Sequence, residues 1–441
     1  MKRIKDTALE SNRKLKINFN GGDLSSDAGM HLIKEFVSKM GFDRCIKQVF
    51  HTKTNARVRV HTDDANLLQM IYQIQSANFQ DDCADELTND PVFTTILNKD
   101  ALASQPTLSR FHNRMDVDTL EQFNEITREF RRRVYSIKPP EMILFDLDST
   151  MLETHGNQEG QAYNGHYHTR GYHPLMCYDG LTGDLLKGEL RKGTDYSCKG
   201  VCEFMQPLFD EFQENYPDTA LYLRGDSGFA TPDLYKQCET NGTSYVIRLK
   251  ENAVLQALMA ELSAELAEKT QENMVDYAVV YGEFYYQAGS WDYERRVVCK
   301  IEKPVNQMIH MSTCIVTNMD LDPESAIRLY YNRGRMENFI KEGKNGFDFA
   351  AVSSHSKIVN DNRFQIHVMA YNIFNWFRRL VLPKAFQKLT VDTIRLKLLK
   401  IAARLIRSAG YMIFKLCSSY PYKDAFYKTL ENIGRLTPQL A

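Results

Sequence analysis

Three acids stand out by their place in the chain: Asp148, Asp226 and Glu337. Asp148 closes an apolar run over 142–147 that reads as a buried strand, Asp226 follows a second such run over 220–224, and Glu337 falls in a helical stretch over 323–342. If the two strands lie side by side, their C-terminal ends bring the aspartates together, and paired carboxylates are costly unless a cation neutralises them. Hard oxygen donors without a His or Cys cluster favour Mg²⁺, which takes a few carboxylates and completes its shell with water and phosphate. Two such ions about 3.5–4 Å apart can activate an attacking oxygen and stabilise a leaving one. That is phosphodiester chemistry, with Asp148, Asp226 and Glu337 as candidate ligands of two Mg²⁺ ions. Asp146 shares a strand face with Asp148, so either could be the first ligand.

Tyr330, Arg333, Glu337 and Lys344 are spaced so that, at about 100° per residue, a single helix would present all four within one narrow arc. One carboxylate among a tyrosine and two cations suits a metal ligand beside phosphate contacts. The plainer reading is a solvated Arg333–Glu337 pair at i, i+4, and Gly343 is a place where the helix could stop before Lys344. His166, His168 and His173 also cluster, but without matching Cys or Glu-x-x-His spacing they read as turn and sheet residues.

The elements that position these groups form a chain of 441 residues, long enough for two or three domains. Apolar residues at 43% and charged residues at 25% exclude disorder and collagen-like repetition. Nine cysteines with no Cys-x-x-Cys pair argue against a disulfide framework and for a reducing compartment; Cys198 and Cys202 read as buried thiols. The basic start, with Lys2, Arg3 and Lys5, leads into no apolar run of signal-peptide length, and no stretch reaches the roughly 18 apolar residues of a membrane span. A cytoplasmic protein without membrane contact is expected. Net charge is −1, yet residues 1–60 hold 13 Lys/Arg against 6 Asp/Glu, 61–100 hold 1 against 8, and 371–441 hold 13 against 3. Such segregation can create polyanion-binding surfaces, or only solvated helix faces.

Residues 1–137 read as a helical domain, with helices at 27–40, 64–79, 91–97, 104–115 and 117–135. Ser104 can cap the fourth, with Pro106 in its first turn. That helix carries Gln105, Thr107, Arg110, His112, Asn113 and Arg114, side chains suited to phosphates and base edges in a helix-turn-helix; Arg110 and Arg114 are its candidate DNA contacts, and Arg131–Arg133 extend the basic side of the next helix. Pro139 and Pro140 mark a boundary. Residues 138–250 then give a strand, a hairpin (173–178 and 185–190), a helix, a strand, a helix and a strand, the layout of a ribonuclease-H-like α/β mixed-sheet core. Residues 251–320 interrupt it with a helix and β segments at 275–280, 283–288, 294–301 and 308–317, a β-rich insertion. Residues 321–370 complete the core with Glu337, and 371–441 form a basic C-terminal region with a strand at 411–415.

At these residues the chain resembles the DDE transposases of bacterial insertion sequences, in the branch named for its Tyr-Arg-Glu-Lys signature. The resemblance rests on Leu147-Asp148-Ser149-Thr150, on Arg224-Gly225-Asp226-Ser227-Gly228-Phe229 and on 330–344, with accompanying segments at 171–175 and 245–250. It implies that Asp148, Asp226 and Glu337 hold two Mg²⁺ ions, with Mn²⁺ able to substitute. Arg333 and Lys344 would contact phosphates near the cut end, with Tyr330 placing them. Hydrolysis at the element's ends would precede attack on DNA by the freed 3′-hydroxyl, through a terminal hairpin in several members of the branch. Trp291, in the insertion, is the candidate to stack on a flipped base, and a packed indole is its commoner fate. The partners implied are the terminal inverted repeats, target duplex and a second copy in a synaptic homodimer, in a nucleoid-associated, cytoplasmic setting.

Three rival readings remain at this level. Phe145-Asp146-Leu147-Asp148-Ser149-Thr150 also resembles the D-x-D-x-T motif of haloacid-dehalogenase-type phosphatases, with Asp146 as nucleophile, although Ala230 stands where that family wants a further acid. A non-catalytic DNA-binding protein, or a nuclease that cuts without joining, would fit the same fold.

Overall fold

The computed structural model describes residues 6–54, 58–270, 276–307 and 309–440. Lys2, Arg3 and Lys5, the start of the segment expected at 275–280 and the Met308 end of that at 308–317 lie outside the described residues. The chain gathers into two compact units, one made of Pro139–Lys341 with Val352–Asn360, the other of Met1–Lys138 with Glu342–Ala351 and Asp361–Ala441.

The first unit is mixed α/β, built on one sheet of eight strands: β1 (Met142–Ser149), β2 (Leu175–Asp179), β3 (Leu185–Glu189), β4 (Ala220–Gly225), β5 (Ser244–Leu249), β6 (Ala278–Tyr286), β7 (Arg295–Lys303) and β8 (Met311–Thr317). Their order is β6-β7-β8-β5-β4-β1-β2-β3. β4 runs parallel to β1 and β5, and the other neighbours are antiparallel. The sub-order β3-β2-β1-β4-β5 is consistent with the expected ribonuclease-H-like core. β1 is buried from Ile143 to Leu147, as a central strand covered on both faces must be. Phe145 points to one face, edge-on to Phe209 and Phe212 of the helix Val201–Asn215 at 5.5 Å each. Strand alternation sends Asp146 and Asp148 to the other face, where the helix Pro323–Tyr331 lays Ala326, Ile327 and Tyr330 on Val246, Val298 and Ile315.

The region 251–320 contributes two helices, Ala253–Leu258 and Ala260–Thr270, and then β6–β8, which extend the core sheet instead of forming one of their own. β8 pairs with β5 from Val246↔Thr317 to Leu249↔Cys314, covering N–H and C=O groups that an edge strand would leave open. The two segments read at 275–280 and 283–288 are one strand. Gly282, between the two segments, lies opposite Cys299 in mid-strand, and a Cβ there would sit 2.6 Å from the Leu262 methyls. Cys299 and Cys314 face each other across β7 and β8 and form a disulfide, a pairing that their separation of 15 residues did not advertise. Cys198 and Cys202 are half-buried; Cys198 precedes the helix.

The second unit packs helices around an aromatic core in which Phe42 stacks on Phe130 at 3.9 Å and meets Trp376 at 5.7 Å. The expected helices appear as Met30–Lys39, Asp63–Gln75, Pro91–Ile96, Gln105–His112 and Val117–Ile137. Periodicity does not isolate Phe42–Val49, which follows the previous helix after Met40 and a left-handed Gly41. The strand Tyr411–Leu416 pairs with Ala403–Ser408 in a hairpin. Several C-terminal cations close on acids of the same unit: Lys400 on Asp27 at 2.6 Å, Arg407 on Asp23 at 2.8 Å and Arg378 on Glu342 at 2.8 Å. Part of the segregated charge is therefore neutralised within the fold.

Candidate active site

The parallel register Arg224↔Asp146 between β4 and β1 brings Asp148 and Asp226 to the same end of adjacent strands. Asp148 Oδ1 accepts the Ser149 backbone N–H at 2.8 Å, and Asp226, at the start of the short 3₁₀ turn Ser227–Phe229, accepts the Gly228 N–H on its Oδ1 at 2.8 Å. Their second oxygens face one cation. Arg333 Nη2 lies 3.0 Å from Asp148 Oδ2 and 3.7 Å from Asp226 Oδ2. Its Nε and Nη2 are buried without hydrogen bonds, so charge rather than bond geometry holds the guanidinium there. Burial lifts the Asp148 carboxyl to about 6; Arg333 and the Ser149 N–H draw it down, and Asp226 and Asp146 push it up. Two carboxylates, each turning one oxygen to a shared positive charge, are a donor set that fits a hard divalent ion.

Asp146 is committed elsewhere. It is fully buried, and both its oxygens accept from Arg224, whose third bond goes to the Leu329 carbonyl at 2.7 Å. Burial raises its pKa against the opposing charge of Arg224. An acid enclosed in this way cannot present an oxygen to a substrate, which removes the phosphatase reading and leaves Asp148 as the acid open at the strand end.

The single helix expected to carry Tyr330, Arg333, Glu337 and Lys344 is two helices. Pro323–Tyr331 stops, Asn332 and Arg333 form a tight turn, and Gly334–Phe347 begins. Gly334 and Asn332 are both poor helix formers, and the Met336 N–H bonds to the Arg333 carbonyl in a short-range turn. The break dissolves the common arc. Tyr330 is buried in the core beneath the first helix. Arg333, displaced from the helical path, reaches the aspartates. Glu337, in the first turn of the next helix, is exposed. Among the described residues no group of three or more His, Cys, Asp and Glu gathers as a metal site: Asp148 and Asp226 meet, and Glu337 stands apart. The helix does not end at Gly343 but runs on to Phe347, with Lys344 half-buried in the second unit. Gly343 is needed there because the Phe349 ring lies 2.4 Å from where a Cβ would be.

Trp291 is buried, edge-on to Tyr235 at 5.4 Å and Tyr286 at 5.3 Å, with the Arg295 guanidinium 5.6 Å from its ring. Arg114 is tied to Thr52 at 2.9 Å and Asp63 at 3.1 Å, whereas Arg110 is exposed and bonds to Thr107 of its own helix at 3.1 Å. Ser104 occupies the N-cap position, but its hydroxyl meets the Thr107 hydroxyl, 3.2 Å away, instead of capping a backbone N–H. His112, set among the candidate base readers by sequence, is buried, and desolvation lowers its pKa to about 3.

Two supporting arginines escape the sequence reading. Arg224 enters the sequence reading only as part of the motif around Asp226, with nothing to mark its pairing with Asp146. Arg191 is buried and bonds to Ser149 Oγ at 3.0 Å and to the carbonyls of His173, Ser197 and Lys199, fixing the loop beside Asp148. A small sheet of Leu152–Glu153, Ala162–Asn164 and Thr169–Tyr172 also goes unread, its strands being too short for periodicity. It places Tyr167 so that its hydroxyl lies 3.4 Å from the Ser149 carbonyl oxygen.

No curated protein matches the chain. Among solved structures it is similar to one described as a cryo-EM structure of piggyBac transposase synaptic complex with hairpin DNA, at 14% identity over 95% of this chain and 86% of that one, with a TM-score of 0.45. No helix among the described residues is long and apolar enough to cross a membrane. Residues 7–438, nearly the whole sequence, match the family described as Transposase DDE domain group 1, and the chain therefore belongs to the DDE transposases, enzymes that cut and join DNA strands.

Proposed function

We propose that this enzyme catalyses metal-dependent cut-and-paste transposition of an insertion sequence. Phosphodiester hydrolysis at the element's ends is followed by strand transfer from the freed 3′-hydroxyl, with a hairpin as the candidate intermediate. The observation that carries the reading is the pair Asp148 and Asp226, at the ends of adjacent strands, facing one cation. In catalysis these aspartates hold divalent ions, Mg²⁺ or Mn²⁺, and Glu337 joins them from its helix. Such ions supply charge stabilisation at the attacking and leaving oxygens. Arg333, released from the carboxylates, turns to a phosphate. Arg224 keeps Asp146 out of the donor set and fixes the register of β1 and β4, and Arg191 holds the loop beside Ser149. Tyr330 anchors the helix that precedes Arg333. Residues 1–137, through Arg110 and Arg114, and the basic region 371–441 with Lys344, serve end binding and assembly of a synaptic homodimer on terminal inverted repeats and target duplex, within the nucleoid.

The test is incubation with short duplexes bearing the host element's ends, with Mg²⁺ or with a chelator, scoring nicked, hairpin and joined products. Metal-dependent nicks followed by joined products are expected. Asp226→Asn and Glu337→Gln should abolish cleavage while sparing binding to the ends. Nicks without joined products would instead mark a nuclease, and cleavage by Asp226→Asn would remove the reading.

A further inference from the structure

The helix Gly334–Phe347 starts after the break at Asn332 and Arg333, so no unbroken α-helical ladder carries the position of the preceding helix into its first turn. Side-chain packing has to place that turn, and Glu337 with it. The mixed-sheet unit holds this helix as far as Lys341. Within it Met336 and Ile340 are buried and Phe339 is half-buried, the i, i+3, i+4 spacing of one apolar face. Glu337 lies about 100° round the helix from Met336, on the exposed flank of that face.

Phe339 has a built seat. Its ring lies against the turn between β2 and β3 at Gly183, where a Cβ would come within 2.8 Å of Cε1, 3.0 Å of Cδ1 and 3.1 Å of Cζ. Gly183 also has a φ of +77°, a left-handed conformation that side chains resist, so only glycine gives both the turn and the room. The second wall is Tyr178, whose ring centre is 5.9 Å from that of Phe339 with 30° between the planes. This seat is fastened to the strand that bears Asp148. The Gly180 N–H donates to the Leu144 carbonyl of β1 at 2.8 Å, the Gly183 N–H closes the turn on the Asp179 carbonyl at 2.8 Å, and Asp179 Oδ1 accepts the Leu181 N–H at 3.1 Å. Tyr178 itself pairs with Asp146, two residues before Asp148. A short path of bonded and packed groups therefore runs from β1 through the turn to Phe339, and Glu337 is two residues away along the chain.

We infer that Phe339 is the positioning residue for Glu337: its ring, seated on Gly183 and Tyr178, fixes the helix from which Glu337 joins the two aspartates. The inference rests on the proposed role of Glu337 as a metal ligand, and its test is read by metal affinity, so the two can fail separately.

Mn²⁺ affinity is measured by spin-resonance titration of the protein bound to a duplex with a pre-cleaved element end, so that no hydrolysis is needed. Glu337→Gln should weaken Mn²⁺ binding about tenfold, and Phe339→Ala, acting through the same ligand, by about as much. The double variant Glu337→Gln/Phe339→Ala should be no weaker than either single one, because both changes remove one contact. Gly183→Ala reaches the seat from the other side and should also weaken binding. Adding Phe339→Leu, whose shorter side chain leaves room for the methyl, should restore the affinity while the strained turn keeps the melting temperature low, a split that a merely structural role does not give. Unchanged affinity in Phe339→Ala beside a weakened Glu337→Gln, or losses that multiply in the double variant, would overturn the assignment and leave Glu337 a ligand. If Phe339→Ala does not fold, the Gly183 variants carry the test, and no loss in Gly183→Ala or no recovery with Phe339→Leu would equally overturn it. Unchanged affinity in Glu337→Gln would remove the ligand itself, and the inference with it.

Discussion

Replacing Arg224 by Met should destabilise the mixed-sheet unit in a way that depends on pH with a sign fixed by the structure. Arg224 and Asp146 are 1% and 0% exposed, and the guanidinium makes two bonds to the carboxylate and one to the Leu329 carbonyl. Without the cation, Asp146 is an uncompensated buried charge, a loss of about 3–5 kcal/mol in comparable pairs. The fold can limit that loss by protonating the carboxyl. Neutralising a group whose unfolded pKa is about 3.9 costs about 4 kcal/mol at pH 7, at 1.36 kcal/mol per unit, and the orphaned carbonyl adds roughly 1–3 kcal/mol. In the variant Asp146 is protonated when folded and ionised when unfolded, so its folded pKa lies above the unfolded one. Stability is then greatest below about pH 4 and falls as pH rises, by about 1.4 kcal/mol per unit up to the folded pKa. Urea unfolding followed through Trp291, which lies in this unit, should show the Arg224→Met penalty shrinking by about 2.7 kcal/mol between pH 7 and pH 5. The double variant Asp146→Asn/Arg224→Met should recover most of the loss and lose the pH dependence. A penalty below about 1 kcal/mol at pH 7, or one that does not change with pH, would refute the reasoning.

The remaining predictions are read more simply. Asp148 must be ionised to hold a cation, and its carboxyl stands at about 6; Mn²⁺ affinity in a spin-resonance titration should therefore fall as pH drops from 7.5 to 5. Arg333→Ala, which removes the charge drawing that carboxyl down, should move the midpoint upward, and a pH-independent affinity would contradict the assignment. Trp291→Ala should cost about 3–5 kcal/mol because the indole is packed. Its stacking role is therefore better judged with Trp291→Leu, which keeps apolar bulk but no aromatic face, in the cleavage assay, where unchanged hairpin yield would remove the role. Gly343→Ala places a Cβ 2.4 Å from the Phe349 ring and should destabilise the second unit by about 1–3 kcal/mol in thermal melts.

Much of the core was legible because its signals are local. The run at 142–147, the hairpin at 173–190 and the alternating elements to residue 249 each carry their period and their turn residues, and so they fixed the ends at which Asp148 and Asp226 lie. What escaped depends on contacts between distant segments. The arc on 330–344 fitted a helix perfectly well by period, yet a two-residue break redirects Arg333 and leaves Glu337 in solvent. Asp146 and Asp148 are indistinguishable by alternation; Arg224, 78 residues onward, separates them. Joining of β8 to β5 is likewise a long-range pairing that no window of β-rich sequence specifies. The charge blocks give no hint of which cations the fold pairs, since acids and bases far apart in sequence meet in the helical unit.

The interruption at Asn332 and Arg333 means that the third acid need not be preassembled with the other two. Glu337 sits one helical turn past this break, so the backbone torsions of Asn332 and Arg333 set where its carboxylate lies relative to the strand ends bearing Asp148 and Asp226. The same break carries Arg333 to the aspartates, so under the proposed function one short turn would set the place of both the cation that now faces the acid pair and the acid that has yet to join it.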